Sequence, residues 1–492
     1  MIKTRFAPSP TGMLHVGGLR TALFAYLYAK KNDGVFMLRI EDTDRERYVE
    51  GGVENILGSL EWAGIIPDEG VKFDGEKNII EQGPSGPYIQ SERLSIYKEY
   101  INILLEKGYA YYCFCTKDRL EEVRIDQEKN KLPPGYDGHC RNLSKEEVDA
   151  KIQAGESYVI RLKMPKEGTT KFMDLVRGEV EFKNSLIDDQ VLMKSDGFPT
   201  YHFAVVVDDH LMGTTHVIRG EEWISSTPKH LTLYSMFGWE APQFGHLSLL
   251  VNEQKKKLSK RHGDVSVEDF KSKGYLPEAL VNFVAFLGWN PGDEREIFSL
   301  DQLIQEFDFT KISKAAAVFN REKLNWYNQM YIRAKSLKEV TELAFPYLKN
   351  EGLIDDAVDM VWLEKVVALE KERMTVLSEL PESLGYFFAD DLVYDSELLI
   401  WKKSTREGSK EMLQKLAQFI EENITDNEWN AENLESQIMG YIKENNYGVG
   451  DVLWPMRTAL SGRKNSPGPF EIAGVLNKKT VLLRLQKAYG IL

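Results

Sequence analysis

The apolar positions along the chain change rhythm near residue 326. Before it, short apolar runs alternate with amphipathic stretches. Residues 2–6 read as a strand, Pro8, Pro10 and Gly12 break it, and from 19 to 31 the spacing is helical, with Leu23 and Leu27 on one face. The run VFMLRIED reads as a second strand ending in the carboxylate pair Glu41 and Asp42. Strand, turn, helix and strand in that order predict a parallel sheet with its ligand at the carboxyl ends of the strands. Residues 112–186 are polar and loop-rich, as an insertion between two halves of a nucleotide-binding fold would be. Strand signals return at VLMKSDGFPTYHFAVVVDDHLMG and HVIRGEEW. Beyond Trp326 nearly every segment is an amphipathic helix, among them SLKEVTELAFPYL and KEMLQKLAQFIEENI.

Length makes this a multidomain picture, since 492 residues exceed what one core supports and predict two to four domains. Apolar residues at 42% and charged residues at 28% predict a soluble globular protein. The amino terminus has no signal-peptide pattern and no apolar run approaches a membrane span, so a cytoplasmic protein without membrane contact is expected. Three cysteines argue against a disulfide scaffold and fit a reducing compartment. A net charge of -14 does not exclude nucleic acid, because binding follows local basic patches. Two patches are visible: Lys255, Lys256, Lys257, Lys260 and Arg261, and a tail from Arg457 through Arg463, Lys464, Lys478, Lys479, Arg484 and Lys487. The tail reads as a solvated face.

Two segments carry candidate chemistry. In Pro8-Ser9-Pro10-Thr11-Gly12-Met13-Leu14-His15-Val16-Gly17-Gly18 the prolines hold a turn open, and Gly17 and Gly18 let backbone approach a ligand at a helix start. Helix amino termini present unpaired N–H groups and a positive dipole end to phosphate. His15 can donate to a phosphate or ribose oxygen there. More than two hundred residues later, Lys257-Leu258-Ser259-Lys260-Arg261 places two lysines around a serine on a loop that can close over a triphosphate and neutralise departing pyrophosphate.

Together these segments resemble the two signatures of class I aminoacyl-tRNA synthetases, His-Ile-Gly-His and Lys-Met-Ser-Lys-Ser. Their departures here, a glycine for the last histidine and Lys-Leu-Ser-Lys-Arg, are typical of the glutamyl branch. The flanks RFAPSPTGMLHVGG, LRIEDTDRER, PYIQSERL, GFPTYHFAVVVDDHLMG, VIRGEEW and STPKHLTLYSMFGW match that branch in order. The chain is identified as a member of the bacterial glutamyl-tRNA synthetases, over essentially its whole length.

The resemblance implies an α/β fold: a Rossmann-like catalytic domain with an inserted acceptor-binding domain, then an all-α anticodon-binding region. The corresponding division is 1–111 and 187–254 for the catalytic halves, 112–186 for the insertion, 255–325 for a stem-contact region with the lysine loop, and 326–390 and 391–492 for two helical subdomains. It implies activation of L-glutamate by ATP with Mg²⁺, then transfer to tRNA(Glu), by a cytoplasmic protein expected to be a monomer. His15, Lys257 and Lys260 are its catalytic residues, and Ser9, His15, Gly17, Gly18 and Lys260 hold ATP. A selective glutamate pocket needs fixed cations and a carboxylate, and Arg5, Arg219 and Glu41 stand at strand ends where they can supply them. The resemblance adds Ala7, Ser9 and Tyr201, with Trp223 either in the pocket wall or in the core. Arg373 aligns with an arginine that helps some relatives reject glutamine anticodons.

Some family members bind zinc through the array formed here by Cys113, Cys115 and Cys140, completed two residues later by histidine or cysteine. That position is Asn142, a poor ligand, and His139 needs a different geometry, so tightly bound zinc is not expected. The nearest rival, a glutaminyl enzyme, would carry a β-rich anticodon part, whereas this carboxyl third reads as helical.

Overall fold

The computed structural model describes residues 1–258, 265–402 and 404–492. Two compact units divide it: Met1–Lys271 with Pro277–Lys323, and Ser272–Leu276 with Leu324–Leu492.

Thirteen strands are assigned among the described residues, all in the first unit. In chain order they are β1 (Lys3–Phe6), β2 (Val35–Leu38), β3 (Glu69–Phe73), β4 (Ile79–Gln82), β5 (Ala110–Cys113), β6 (Val159–Leu162), β7 (Thr169–Asp174), β8 (Gly178–Lys183), β9 (Val191–Met193), β10 (His216–Gly220), β11 (Gln243–Leu247), β12 (Leu250–Val251) and β13 (Ala317–Val318). Eight form one sheet in the order β4-β3-β2-β1-β10-β11-β7-β8. Its six inner strands are parallel and its two outermost pairings antiparallel. The chain leaves β1 for β2 on one side, while β10 lies against the other. Ligands of open parallel sheets bind where strand order reverses in this way.

The first crossover helix, Val16–Lys31, begins three residues earlier than periodicity alone suggests, because His15 caps it by accepting from the Gly17 N–H. Its Leu19, Ala22, Leu23, Phe24 and Leu27 are buried, which fits a helix lying on a sheet. β2 ends at Leu38, so Glu41 stands in the segment beyond the strand and not at its last position.

The apolar run around Val205–Val207 is a correction to the sequence reading. It lies in the helix Tyr201–Leu211, and only Val191–Met193 of the expected strand region is a strand. Periodicity cannot separate a fully buried helix from a buried strand. Phe203, Val205, Val206 and Val207 are each at most 2% exposed. Burying each contributes about 1.5–3 kcal/mol, which outweighs a helix-propensity cost of at most about 0.7 kcal/mol per residue. The helix packs in a core with Tyr97, Leu162, Leu192 and Leu233, beside the antiparallel sheet β5-β6-β9. That small sheet runs across both ends of segment 112–186, and β7 and β8 of the same segment extend the large sheet.

From Leu324 onward every described element of the second unit is helical. Helices such as Leu337–Asn350 open on a capping box, here Ser336 with Glu339, which satisfies two otherwise unpaired N–H groups. No regular element is assigned between Phe387 and Ser396. Arg484 departs from the solvated tail expected of it. It is buried and donates to the carbonyls of Leu460, Tyr386 and Ala389, so it is a structural residue. No described helix is long and apolar enough to cross a membrane.

Candidate active site

A cavity of about 1100 Å³ opens at the carboxyl ends of β1, β2 and β10. Arg5, Ala7, Ser9, His15, Gly17, Gly18, Glu41, Tyr201, Arg219 and Lys257 all line it, so one cleft gathers residues spread over 250 positions. Trp223 lines it too, with its ring 4.2 Å from that of Tyr201, which places it in the wall and not in the core. Lys260, with Ser259 and Arg261, lies outside the described residues. Arg373 belongs to the second unit, where its Nε is 2.8 Å from Glu370 Oε2.

The glycine turn is held from outside its own helix. The Val16 N–H donates to the Val265 carbonyl and the Val267 N–H to the Leu14 carbonyl, both at 2.9 Å. On the other flank of the lysine segment, the Leu258 N–H donates to the Leu250 carbonyl. His15 Nδ1 accepts from Gly17, which leaves the proton of a neutral ring on Nε2. Gly18 has a packing reason as well as an access reason, because a Cβ there would meet Leu14 Cδ1 at 2.9 Å.

The pocket holds two arginines in different ways. Arg5 gives its Nε to both oxygens of Asp209, at 3.1 and 3.3 Å. Arg39 donates to the same Asp209 at 2.8 Å and to Glu41 Oε1 at 2.9 Å. Asp208 alongside accepts from Arg93, Gln90 and Tyr97. These two aspartates occupy the last turn of the helix Tyr201–Leu211, where the helix dipole disfavours negative charge. Three arginines offset that. Burial would raise the Asp209 carboxyl, but Arg5 and Arg39 hold it below the usual range. Glu41 is pushed up by burial, against the pull of Arg39.

Arg219 has no carboxylate partner among the described residues. Its Nε donates to His246 Nε2 at 3.0 Å, one terminal nitrogen to the Tyr201 hydroxyl at 3.1 Å and to His230 Nδ1 at 3.2 Å, and the other to the Thr227 hydroxyl at 2.9 Å. The strand register explains the first contact, since Arg219 of β10 lies opposite His246 of β11. Burial, with Arg219 nearby, lowers the basicity of His230; burial also lowers that of His246, although Asp174 pulls the other way.

Sequence reasoning passed over Asp209, Arg39, His230, His246 and Thr227. Asp208-Asp209 at the end of an apolar run and a histidine inside the strand FGHL were the available signals, since a polar group in a core must find a partner.

The cysteines converge: the sulfurs of Cys113, Cys115 and Cys140 lie within 4.8 Å of one another, with Cys115 and Cys140 at 3.6 Å. Beside them is the hydroxyl of Tyr136, 3.4 Å from Cys113 and 3.5 Å from Cys115, while His139 and Asn142 are exposed. Burial pushes the Cys115 thiol up to about 12, and hydrogen bonds, the foremost from Tyr136, lower that of Cys113 against its burial. Three sulfurs suit three corners of a tetrahedral ion. Among the described residues this is the one cluster of three or more such groups.

Known proteins resemble this chain over nearly its whole length. Residues 1–326 match the family model for the catalytic domain of class I tRNA synthetases (E and Q), and 339–489 match an anticodon binding domain. A glutamate–tRNA ligase of Clostridioides difficile is 49% identical over 489 residues, 98% of each chain. That of Finegoldia magna is 47% identical over 492 residues, 99% of each. A crystal structure of a glutamate tRNA ligase from Elizabethkingia meningosepticum, in complex with its amino acid, superposes with a TM-score of 0.87 at 37% identity over 99% of both chains. Matched in sequence and in fold over nearly its full length, the chain belongs to the glutamate–tRNA ligase family of class I tRNA synthetases.

Proposed function

We propose that this chain activates L-glutamate with ATP and transfers it to the 3′ end of tRNA(Glu), releasing AMP and pyrophosphate, with the residues of the cavity in the following roles. The observation that carries the proposal is the single cleft in which Arg5, Glu41, Tyr201 and Arg219 stand beside His15, Gly17, Gly18 and Lys257. Arg5 and Arg219 bind the carboxylates, and Arg5 offers the terminal nitrogens that Asp209 leaves unused. Glu41 receives the α-ammonium through Oε2, because its bonds to Arg39 and Gln90 both fall on Oε1. Ala7 and Ser9 complete the amino-acid contacts, and Tyr201 meets the side chain.

ATP lies along Ser9, His15, Gly17 and Gly18, with the helix amino terminus facing phosphate. A glutamate α-carboxylate oxygen attacks the α-phosphorus, and the bond to the bridging oxygen of pyrophosphate breaks. His15 Nε2–H, Lys257 and Lys260 stabilise charge on the phosphates as it redistributes, so catalysis is positioning and electrostatics without a covalent nucleophile. Mg²⁺ carried by the triphosphate would neutralise it further, taking its ligands chiefly from phosphate oxygens. The terminal ribose hydroxyl of the tRNA then attacks the activated carbonyl, and AMP leaves. A structural ion, where bound, would be held by Cys113, Cys115 and Cys140 and takes no part in these steps.

Segment 112–186 grips the acceptor end, 255–325 contacts the stem, and the helical subdomains 326–390 and 391–492 read the anticodon, where unstacked bases need cationic and aromatic partners. Arg373 screens the anticodon. The protein works as a cytoplasmic monomer. ATP–pyrophosphate exchange with glutamate or glutamine, with and without tRNA(Glu), tests the reading. Exchange with glutamate is expected; exchange with glutamine alone would overturn it.

A further inference from the structure

A buried chain of hydrogen bonds lies behind Arg219, and the reaction as described leaves it unused. Asp174 Oδ2 is 2.6 Å from His246 Nδ1, with both side chains fully buried. Asp174 Oδ1 also accepts from the N–H groups of Val176 and Arg177 at 2.9 and 2.8 Å, so the carboxylate is ionised and acts as acceptor only. The proton between the pair therefore belongs to His246 Nδ1, and Nε2 is left to accept from Arg219. His230 is oriented by the same logic. Its Nδ1 accepts from Arg219, so its Nε2–H donates to His202 Nδ1 at 3.1 Å. Each imidazole is neutral, and its tautomer is dictated by its partner.

A guanidinium is usually buried against a carboxylate, as Arg5 is against Asp209. Arg219 is instead satisfied at every nitrogen by neutral acceptors: two imidazoles, the Thr227 hydroxyl and the Tyr201 hydroxyl. The nearest carboxylate along this chain of bonds, Asp174, is one ring away. A neutral cage fixes the orientation of the guanidinium without cancelling its charge. A buried, uncompensated charge attracts an anion strongly and gains little from a neutral amide.

Resting on the proposed amino-acid pocket, we propose that His246, His230 and Thr227 are positioning residues that set the preference for glutamate over glutamine, by holding Arg219 with neutral acceptors so that its charge is left for the side-chain carboxylate. Asp174 and His202 act one step back, by fixing the two imidazole tautomers.

The test compares near-isosteric amide and acid at the same position. Thr227→Asn and Thr227→Asp differ only in charge beside Arg219, as do His230→Asn and His230→Asp. For each pair, ATP–pyrophosphate exchange is measured with glutamate and with glutamine, with folding checked by circular dichroism. The acid is expected to raise the glutamate KM at least tenfold over its amide counterpart, with kcat changed less than threefold. The ratio of kcat/KM for glutamate to that for glutamine should fall at least tenfold. Equal glutamate KM and equal ratio within a pair would overturn the proposal, since a merely structural role responds to shape and not to the added charge. Arg219→Ala is run alongside. If it leaves the glutamate KM unchanged, the pocket itself is misassigned; if it raises KM while acid and amide agree, only this inference fails. In the wild-type protein, ¹⁵N-histidine shifts at pH 7 should report neutral His230 and His246, protonated on Nε2 and Nδ1 respectively. A charged ring at either position would overturn the proposal even where an acid variant does not fold.

Discussion

The two sides of the proposed amino-acid pocket solve the same problem, a buried arginine, in opposite ways. On the β1–β2 side, Arg5, Arg39, Glu41, Asp208 and Asp209 form a lattice of alternating charges in which each group compensates its neighbours. On the β10–β11 side, Arg219 is held by two imidazoles and two hydroxyls with no ion pair among the described residues. The first arrangement makes a rigid wall that keeps Glu41 at one place. The second keeps a charge available. Where a side chain serves stability, compensation is the cheaper solution; where it must discriminate between ligands, leaving it uncompensated creates the difference in affinity.

The sharpest way to break the comparison is on the compensated side. Asp209→Ala removes the carboxylate shared by Arg5 and Arg39 and leaves both buried. It should destabilise the protein by about 3–5 kcal/mol, the usual cost of removing one partner of a buried pair. Urea denaturation would measure this, and a loss near zero would mean that the lattice is not cooperative. On the other side, Arg219→Ala should act chiefly on the ligand. Losing a desolvated charge contact costs roughly 2–5 kcal/mol, so the glutamate requirement should rise about thirty- to several-thousandfold. Steady-state exchange kinetics would show it.

A smaller effect sharpens the contrast. Glu41→Gln keeps the volume but weakens the bond from Arg39 and the attraction for an ammonium. The amino-acid KM should rise about tenfold or more, for glutamate and glutamine alike, because that side does not see the side chain.

The smallest expected change concerns pH. Burial is the main cause that pushes the His202 imidazole down to about 4, and nearby Lys229 and Arg219 add to it. A base whose folded pKa is depressed contributes stability that is complete above its unfolded value of about 6.5 and is lost as pH falls toward 4, since the unfolded chain then binds more protons. Thermal melts between pH 7 and 4 should therefore show an acid-side slope that becomes shallower in His202→Gln. An unchanged slope would show that this ring does not titrate with folding.

Much of the catalytic unit was legible beforehand. Breakers, a glycine-bearing turn before a helix and strand signals placed Arg5, His15 and Arg219 at strand and helix ends, because local backbone chemistry is written in nearby residues. The helix at Tyr201–Leu211 was misread for a physical reason: an all-apolar run has no face, so only the core that it enters decides its conformation. Tyr136 went unnoticed beside the cysteines because nothing in a lone tyrosine signals what it will meet.

Residue types and spacing were enough for the sheet's beginning and the helical second half, since short-range periodicity and turn chemistry govern those features; the family was legible through its signature motifs. Which carboxylate would answer which arginine, and that Arg219 would answer to none among the described residues, depended on contacts between residues up to 204 positions apart. Such contacts follow from strand order and register, and these are settled by burial of the whole core and not by any local stretch of chain.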